Sequence, residues 1–182
     1  MIFTQDKLSK FVETGLIKRK TGLPPVIDIA SISLHLGKLF IRYKKTDVPI
    51  ELPTPIETET VPIEGDGSVL FPPGCCILAS TDEILSMPFN LMGFVQTKGT
   101  IARGFVTVHL CDGQIDPGYE GAITLELVNL SDITYLLRPG VPIAQLFIHS
   151  LNEAVEKGYE GRYQHALEPT SMRTSTQGSV SS

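Results

Sequence analysis

The sequence predicts a mainly β fold, a barrel or sandwich with one short helix near its start. Three observations predict it. Runs of alternating apolar and polar residues recur at strand length. Pro-Gly, Asp-Gly and Pro-Pro-Gly turns stand between them. Helical spacing of apolar residues is confined to the beginning of the chain.

At that beginning, Leu8, Phe11 and Val12 share one helical face, Thr4 precedes them and Gly15 follows. A helix is predicted over 4–13, with Thr4 as its cap and Gly15 as its stop. Lys18, Arg19 and Lys20 read as a solvated connection. Next, Ala30, Ile32, Leu34 and Leu36 alternate with Ser31, Ser33 and His35, a half-buried strand with His35 on its polar side. A second apolar run covers 39–43. Residues 46–60, rich in Pro, Glu and Thr, read as a surface connection with one edge strand at most. Strands over 68–71, 75–80 and 87–96 are set off by Gly65-Asp66-Gly67 and Pro72-Pro73-Gly74.

The stretch 96–126 is the centre of the chain's chemistry. Residues 105–110 alternate, and so do 122–128, where Ile123, Leu125 and Leu127 oppose Thr124, Glu126 and Val128. Asp112-Gly113 and Asp116-Pro117-Gly118 supply two turns between these strands. Strands over 134–137 and 143–149 flank Pro139-Gly140. The organisation expected is one domain over 1–165 and a flexible Ser/Thr-rich tail over 166–182.

With 182 residues, 42% hydrophobic and 19% charged, the chain can bury a core as a single soluble domain. A net charge of −5 argues against a general nucleic-acid binder. It leaves room for one phosphate-bearing ligand held by a local basic cluster. Three cysteines, two of them adjacent, make no disulfide framework. No secretory h-region and no membrane-length apolar run is visible, so a cytoplasmic protein without a membrane partner is expected.

Several catalytic plans drop out. A zinc nucleobase deaminase needs His-x-Glu with a separate Pro-Cys-x-x-Cys, whereas His109 is followed by Leu110 and Cys111. There is no Gly-x-Ser-x-Gly elbow and no Walker loop. The four histidines are too widely spaced for a standard metal cluster, and no protein-held metal is expected. What remains is Glu126 mid-strand, Asp116 in a turn, Arg103, and Lys98-Gly99-Thr100. Taken alone, a glutamate on a polar strand face is a solvated side chain in most cases, and Asp-Pro-Gly is a turn.

Together these residues resemble the dCTP deaminase family of the trimeric dUTPase-like superfamily. The resemblance is carried by 113–121 (GQIDPGYEG), by 123–127 (ITLEL) with Asn129, by Arg138-Pro139-Gly140 and by 143–146 (IAQL). Thr100-Ile101-Ala102-Arg103 is similar to the family's Ser-Leu-Ala-Arg, and 31–37 to its Asp-Leu-Arg-Leu-Gly strand. It implies a distorted β-barrel or jelly-roll, a homotrimer with nucleotide sites at subunit contacts, and Mg²⁺ bound through the triphosphate. It also implies roles. Glu126 shuttles protons during hydrolysis at C4 of cytosine. His109 lies near the base, and Asp116 and Tyr119 meet the deoxyribose. Arg103, Thr100, Lys98 and the Gly99 amide face the phosphates and the catalytic water. Leu110, Asp112, Ile115, Arg162 and Tyr163 complete the substrate-binding set. Where family members read Arg-Ser-Ser, this chain reads Lys98-Gly99-Thr100. Three readings follow: deamination of dCTP to dUTP, pyrophosphate release from dUTP alone or coupled to deamination with Asp116 orienting the water, and a non-catalytic nucleotide-binding trimer.

Overall fold

The computed structural model describes residues 1–110 and 112–174. In chain order the elements are α1 (Gln5–Glu13), β1 (Ile17–Arg19), β2 (Val26–Ile27), β3 (Ile32–Tyr43), β4 (Thr58–Thr60), β5 (Val69–Phe71), β6 (Cys76–Ser86) and β7 (Leu91–Thr97). Then come α2 (Gly99–Ala102), β8 (Val106–Thr107), β9 (Gln114–Ile115), β10 (Glu120–Asn129), β11 (Tyr135–Leu137) and β12 (Pro142–Ser150). The fold is mainly β with a short N-terminal helix, as the sequence predicts.

Helix α1 buries Leu8 and Phe11 against the sheet, each removal from water contributing about 1.5–3 kcal/mol. Thr4 is the N-cap residue, but its hydroxyl makes no capping bond. The Leu8 amide bonds the Thr4 carbonyl instead, at 3.0 Å.

The main sheet runs β8-β10-β6-β3-β12-β7-β9, with β1 added to β6 and with β2 and β4 added to β3. Neighbours are antiparallel; β10 pairs with β6 from Glu120↔Ser86 to Val128↔Cys76, and β12 with β7 from Ala144↔Thr97 to Ser150↔Leu91. β5 and β11 form a separate two-stranded ribbon. Register shifts interrupt β10/β6, β3/β6 and β12/β3. Such irregularities bend strands and curl a sheet around its core. Leu34, Phe40, Phe71, Leu125, Leu127 and Leu146 fill that core.

Three expectations are corrected. Arg19 is not solvated: β1 pairs with β6, and Arg19 Nε lies 2.8 Å from Asp82 Oδ2 and 3.4 Å from Glu83 Oε1. His35 is not a surface histidine. It is 6% exposed, its Nδ1 lies 2.6 Å from Glu83 Oε1, and its backbone amide donates to Glu83 Oε2 at 2.8 Å. The first half of β3 is covered on both faces, so alternation there separates two interiors rather than core from solvent. The strand expected over 105–110 shrinks to β8, because Phe105 adopts φ 55° and turns the chain.

Candidate functional site

β10 presents Ile123, Leu125 and Leu127 to the core, and all three are buried. Alternation therefore sends Thr124 and Glu126 the other way. The outer edge of β10 is covered in two pieces. The Glu126 amide bonds the Val108 carbonyl at 2.8 Å, while the Ala122 amide bonds the Ala166 carbonyl at 2.7 Å. A cleft of about 460 Å³ lies there, lined by Thr124 and Glu126 together with Asp112, Gln114, Ile115, Asp116 and Tyr119.

The near end of the cleft is the turn 116–118. Gly118 has φ 82°, and a Cβ at that position would stand 2.8 Å from Gly158 Cα. Only glycine allows the C-terminal segment to cross so closely. Gln114 Nε2 donates to Asp116 Oδ1 at 2.6 Å and fixes that carboxylate. The Tyr119 hydroxyl donates to the Ala122 carbonyl at 2.7 Å, so the ring and not the hydroxyl is offered to the cleft. Burial pushes the Tyr119 phenol well above its ordinary pKa, with Tyr159 adding to the shift. The two tyrosine rings meet edge to face, 5.7 Å apart, an arrangement suited to an apolar wall.

Glu126 is half-buried, and its Oε2 accepts the Leu110 amide at 3.3 Å. A smaller groove of about 260 Å³ shares Glu126, Tyr43 and Leu78 with the cleft and continues past Leu110, Cys76 and Arg42. The carboxylate thus stands between two concavities.

The far wall is the C-terminal segment. The Thr170 amide donates to Thr124 Oγ1 at 3.1 Å, the Met172 amide to the Tyr43 hydroxyl at 2.8 Å, and the Arg173 amide to the Tyr163 hydroxyl at 3.3 Å. Of the tail drawn over 166–182, residues 175–182 lie outside the described residues.

The proposed site residues fall into two groups. Glu126, Asp116, Asp112, Ile115, Tyr119 and Tyr163 line the cleft; Leu110 lines the adjoining groove. Lys98, Gly99, Thr100, Arg103, His109 and Arg162 do not line the cleft. Lys98 Nζ reaches Asp28 Oδ2 at 3.3 Å and Ser33 Oγ at 2.9 Å. Burial opposes ionisation of Asp28, but bonds from Ser33, Gln145 and Lys98 outweigh it and hold its pKa below the ordinary value. Arg103 is exposed; its guanidinium donates to the Gly99 carbonyl at 3.3 Å and has no carboxylate partner among the described residues. A Cβ added to Gly99 would meet only Arg103 Nη1, at an ordinary 3.5 Å. His109 packs beside Gly113, and its buried Nδ1 has no hydrogen-bond partner among the described residues. Arg162 and Arg173 exchange guanidinium-to-carbonyl bonds.

Sequence reasoning missed Tyr43, Leu78, Tyr159 and the 170–172 wall. Thr124 was within reach, since it shares the strand face of Glu126. Tyr43 and 170–172 join the cleft only through tertiary contacts that leave no local pattern.

Charge in the cleft is one-sided. Asp112, Asp116 and Glu126 line it, and among the described residues no Lys, Arg or His does.

Residues 2–151 match a family model described as dCTP deaminase-like. The chain is similar to the "dCTP deaminase, dUMP-forming" of Streptomyces griseus, 32% identical over 96% of this chain and 95% of the relative. It is similar also to the dCTP deaminase of Haloarcula marismortui, 33% identical over 87% of this chain and 85% of the relative. Among solved structures, the 2'-deoxycytidine 5'-triphosphate deaminase of Agrobacterium tumefaciens shares the fold with a TM-score of 0.65 at 16% identity. That match covers 81% of this chain and 46% of the Agrobacterium chain.

Proposed function

The chain belongs to the dCTP deaminase-like family, and from that premise we propose that it hydrolyses the 4-amino group of dCTP, yielding dUTP and ammonia. The observation that carries this is Glu126, a carboxylate on the long strand β10, whose own amide is bonded to Val108 and whose carboxylate accepts the Leu110 amide, facing a cleft with aromatic walls. Hydrolysis at C4 forms a C–O bond and breaks the C–N bond. The attacking water gives up both of its protons in turn, one to the ring nitrogen and one to the departing amine. One well-placed carboxylate can take and return them. Glu126 is that group, and the tyrosine walls limit competing water.

The cleft of one chain is poorly suited to a triphosphate by itself, because the charged side chains that line it among the described residues are all carboxylates. Like charges repel, so such a lining disfavours a polyanionic ligand. Arg103, exposed and without a carboxylate partner among the described residues, is a cation that could balance it. A homotrimer in which Arg103 and the Lys98-Gly99-Thr100 backbone of one protomer meet the Glu126 cleft of the next would supply both halves. Closed cyclic assemblies juxtapose two different patches in this way. Mg²⁺ is proposed to enter on the triphosphate, since Mg²⁺ keeps its waters and favours substrate phosphates over all-protein cages. Among the described residues no cluster of three or more His, Cys, Asp or Glu side chains is arranged to hold a metal. Bound there, the ion would neutralise phosphate charge.

A second reading has its own support. The Streptomyces relative is named dUMP-forming, and Asp116 shares the cleft with Glu126 while Gln114 orients it. Coupled release of pyrophosphate would follow if Asp116 orients a water toward the α-phosphate. The test is incubation with each deoxynucleoside triphosphate and Mg²⁺, with ammonia and pyrophosphate assayed together. Ammonia from dCTP alone is expected for the deaminase; equal pyrophosphate marks the coupled reaction. Binding without either product leaves the non-catalytic trimer.

A further inference from the structure

Behind Glu126, β6 makes an excursion. Ala122 of β10 faces Ile84 and Thr124 faces Ser80, so Thr81, Asp82 and Glu83 together oppose the single residue Ile123. Two extra residues preserve alternation on both sides, and Ala79 and Leu85 both stay in the core. The excursion leaves the Ile123 amide facing a side chain. That amide donates to Thr81 Oγ1 at 3.0 Å, and the same hydroxyl donates to the Glu83 carbonyl at 2.7 Å. Thr81 is fully buried. One hydroxyl therefore serves as acceptor for β10 and donor for β6 at the irregularity, where both backbone groups would otherwise be buried without partners.

Asp82 and Glu83 are pinned from the other side. Asp82 accepts from Arg19 at 2.8 Å and from the Thr21 hydroxyl at 2.7 Å, and Glu83 is held by His35. The bulge is thus rigid, and its contact with β10 passes through Thr81. Ile123 itself borders the cleft, adjacent to Thr124 and three positions before Glu126, which line it as well. Bulges beside active sites re-aim the side chains that follow them.

We propose that Thr81 is a positioning residue: its buried hydroxyl sets the path of β10 at Ile123 and so the direction of the Glu126 carboxylate toward the reacting base. This rests on the proposed deamination. Thr81→Val keeps the shape of the side chain and removes the hydroxyl; Thr81→Ser keeps the hydroxyl and removes a methyl group. Steady-state ammonia release from dCTP should show kcat reduced about ten-fold or more in Thr81→Val, since displacements of an ångström at a reacting group can cost up to about 10²-fold. KM should stay within about two-fold, because the cleft walls are unchanged. The kcat–pH profile should shift with it, reporting an altered setting of the base, and Thr81→Ser should recover most of kcat. Unchanged kcat and pH profile in a folded Thr81→Val protein would overturn the proposal, as would a loss that Thr81→Ser shares. If Thr81→Val does not assemble, Thr81→Cys, a weak hydrogen-bonding partner, is read by the same criteria. If the unsubstituted protein releases no ammonia, the deaminase reading itself fails, a result distinct from either outcome for Thr81.

Discussion

The cleft beside Glu126 and the short helix α2 are built in opposite ways. The cleft belongs to the sheet, its carboxylate on a ten-residue strand paired along β6 on one edge and met by β8, Val108 and Ala166 on the other. It is acidic and walled. α2 is a single turn of four residues with none of them buried, and it carries Arg103 at its end. One region has fixed geometry without positive charge; the other has positive charge with little to hold it. If the proposed deamination holds, the difference teaches that base chemistry and phosphate binding are separated within one chain. Rigidity is invested where a proton must be aimed, since a general base must lie within hydrogen-bond reach of its target. A phosphate tolerates a looser contact, because charge acts over a longer range.

The largest expected effect breaks the rigid half. Glu126→Gln preserves shape and most hydrogen bonding but cannot transfer protons. Ammonia release should fall by about 10²–10⁴-fold while nucleotide binding survives, as read by steady-state kinetics and equilibrium titration. Mixing sharpens the comparison. Neither Glu126→Gln nor Arg103→Ala trimers should turn over dCTP well, but a mixed trimer has one interface with both native residues. Random exchange should then restore about a quarter of the unsubstituted activity if sites are shared around a cyclic trimer. No recovery after verified exchange would put both residues in one protomer's site or remove Arg103 from it.

A smaller effect is expected at the loose half. Arg103→Ala should weaken triphosphate binding by about 1.5–3 kcal/mol, the value of a charge-assisted contact. Deoxycytidine should bind nearly as before. Calorimetric titration with both ligands decides it: an equal loss for the two would make Arg103 a structural residue.

Much of the rigid half was legible in the sequence. Period-two alternation over 122–128 assigns Ile123, Leu125 and Leu127 to the core and Glu126 to the opposite face, and β10 obeys it. Turn chemistry at Asp116-Pro117-Gly118 likewise marks the cleft's end, because few residues but glycine accept φ 82° there. Alternation failed where burial is two-sided. His35 looks like a surface residue only if one face of its strand meets water there, and along the first half of β3 neither does. Arg19 misled for a related reason: a run of three basic residues reads as solvated, yet its middle member meets carboxylates more than sixty positions away. The role of Thr81 was illegible because it arises from a register shift, which depends on two strands and is written in neither.

The smallest expected effect compares the scaffolds of the two halves through their aspartates. Asp82 stands behind the cleft and Asp28 beside α2, and both carboxyls are held below the ordinary range. Burial opposes ionisation in each case. Bonds from Thr21 and Arg19 outweigh it at Asp82, and bonds from Ser33, Gln145 and Lys98 at Asp28. A carboxyl depressed in the folded state stabilises fully above its unfolded pKa, near 4, and that stabilisation is lost as pH falls through the lower folded value. The two sites differ in exposure: the Asp82 side chain is 6% exposed and the Asp28 side chain 35%. Solvent screens the second far more. Asp82→Asn should therefore cost about 1–2 kcal/mol at pH 7, and the gap to the unsubstituted protein should close as pH falls below 4. Asp28→Asn should cost less than about 1 kcal/mol and flatten the acid limb only slightly. Urea titrations at a series of pH values measure both. A larger acid-dependent loss from Asp28→Asn would reverse the assignment, making the phosphate-side loop the more firmly anchored of the two regions.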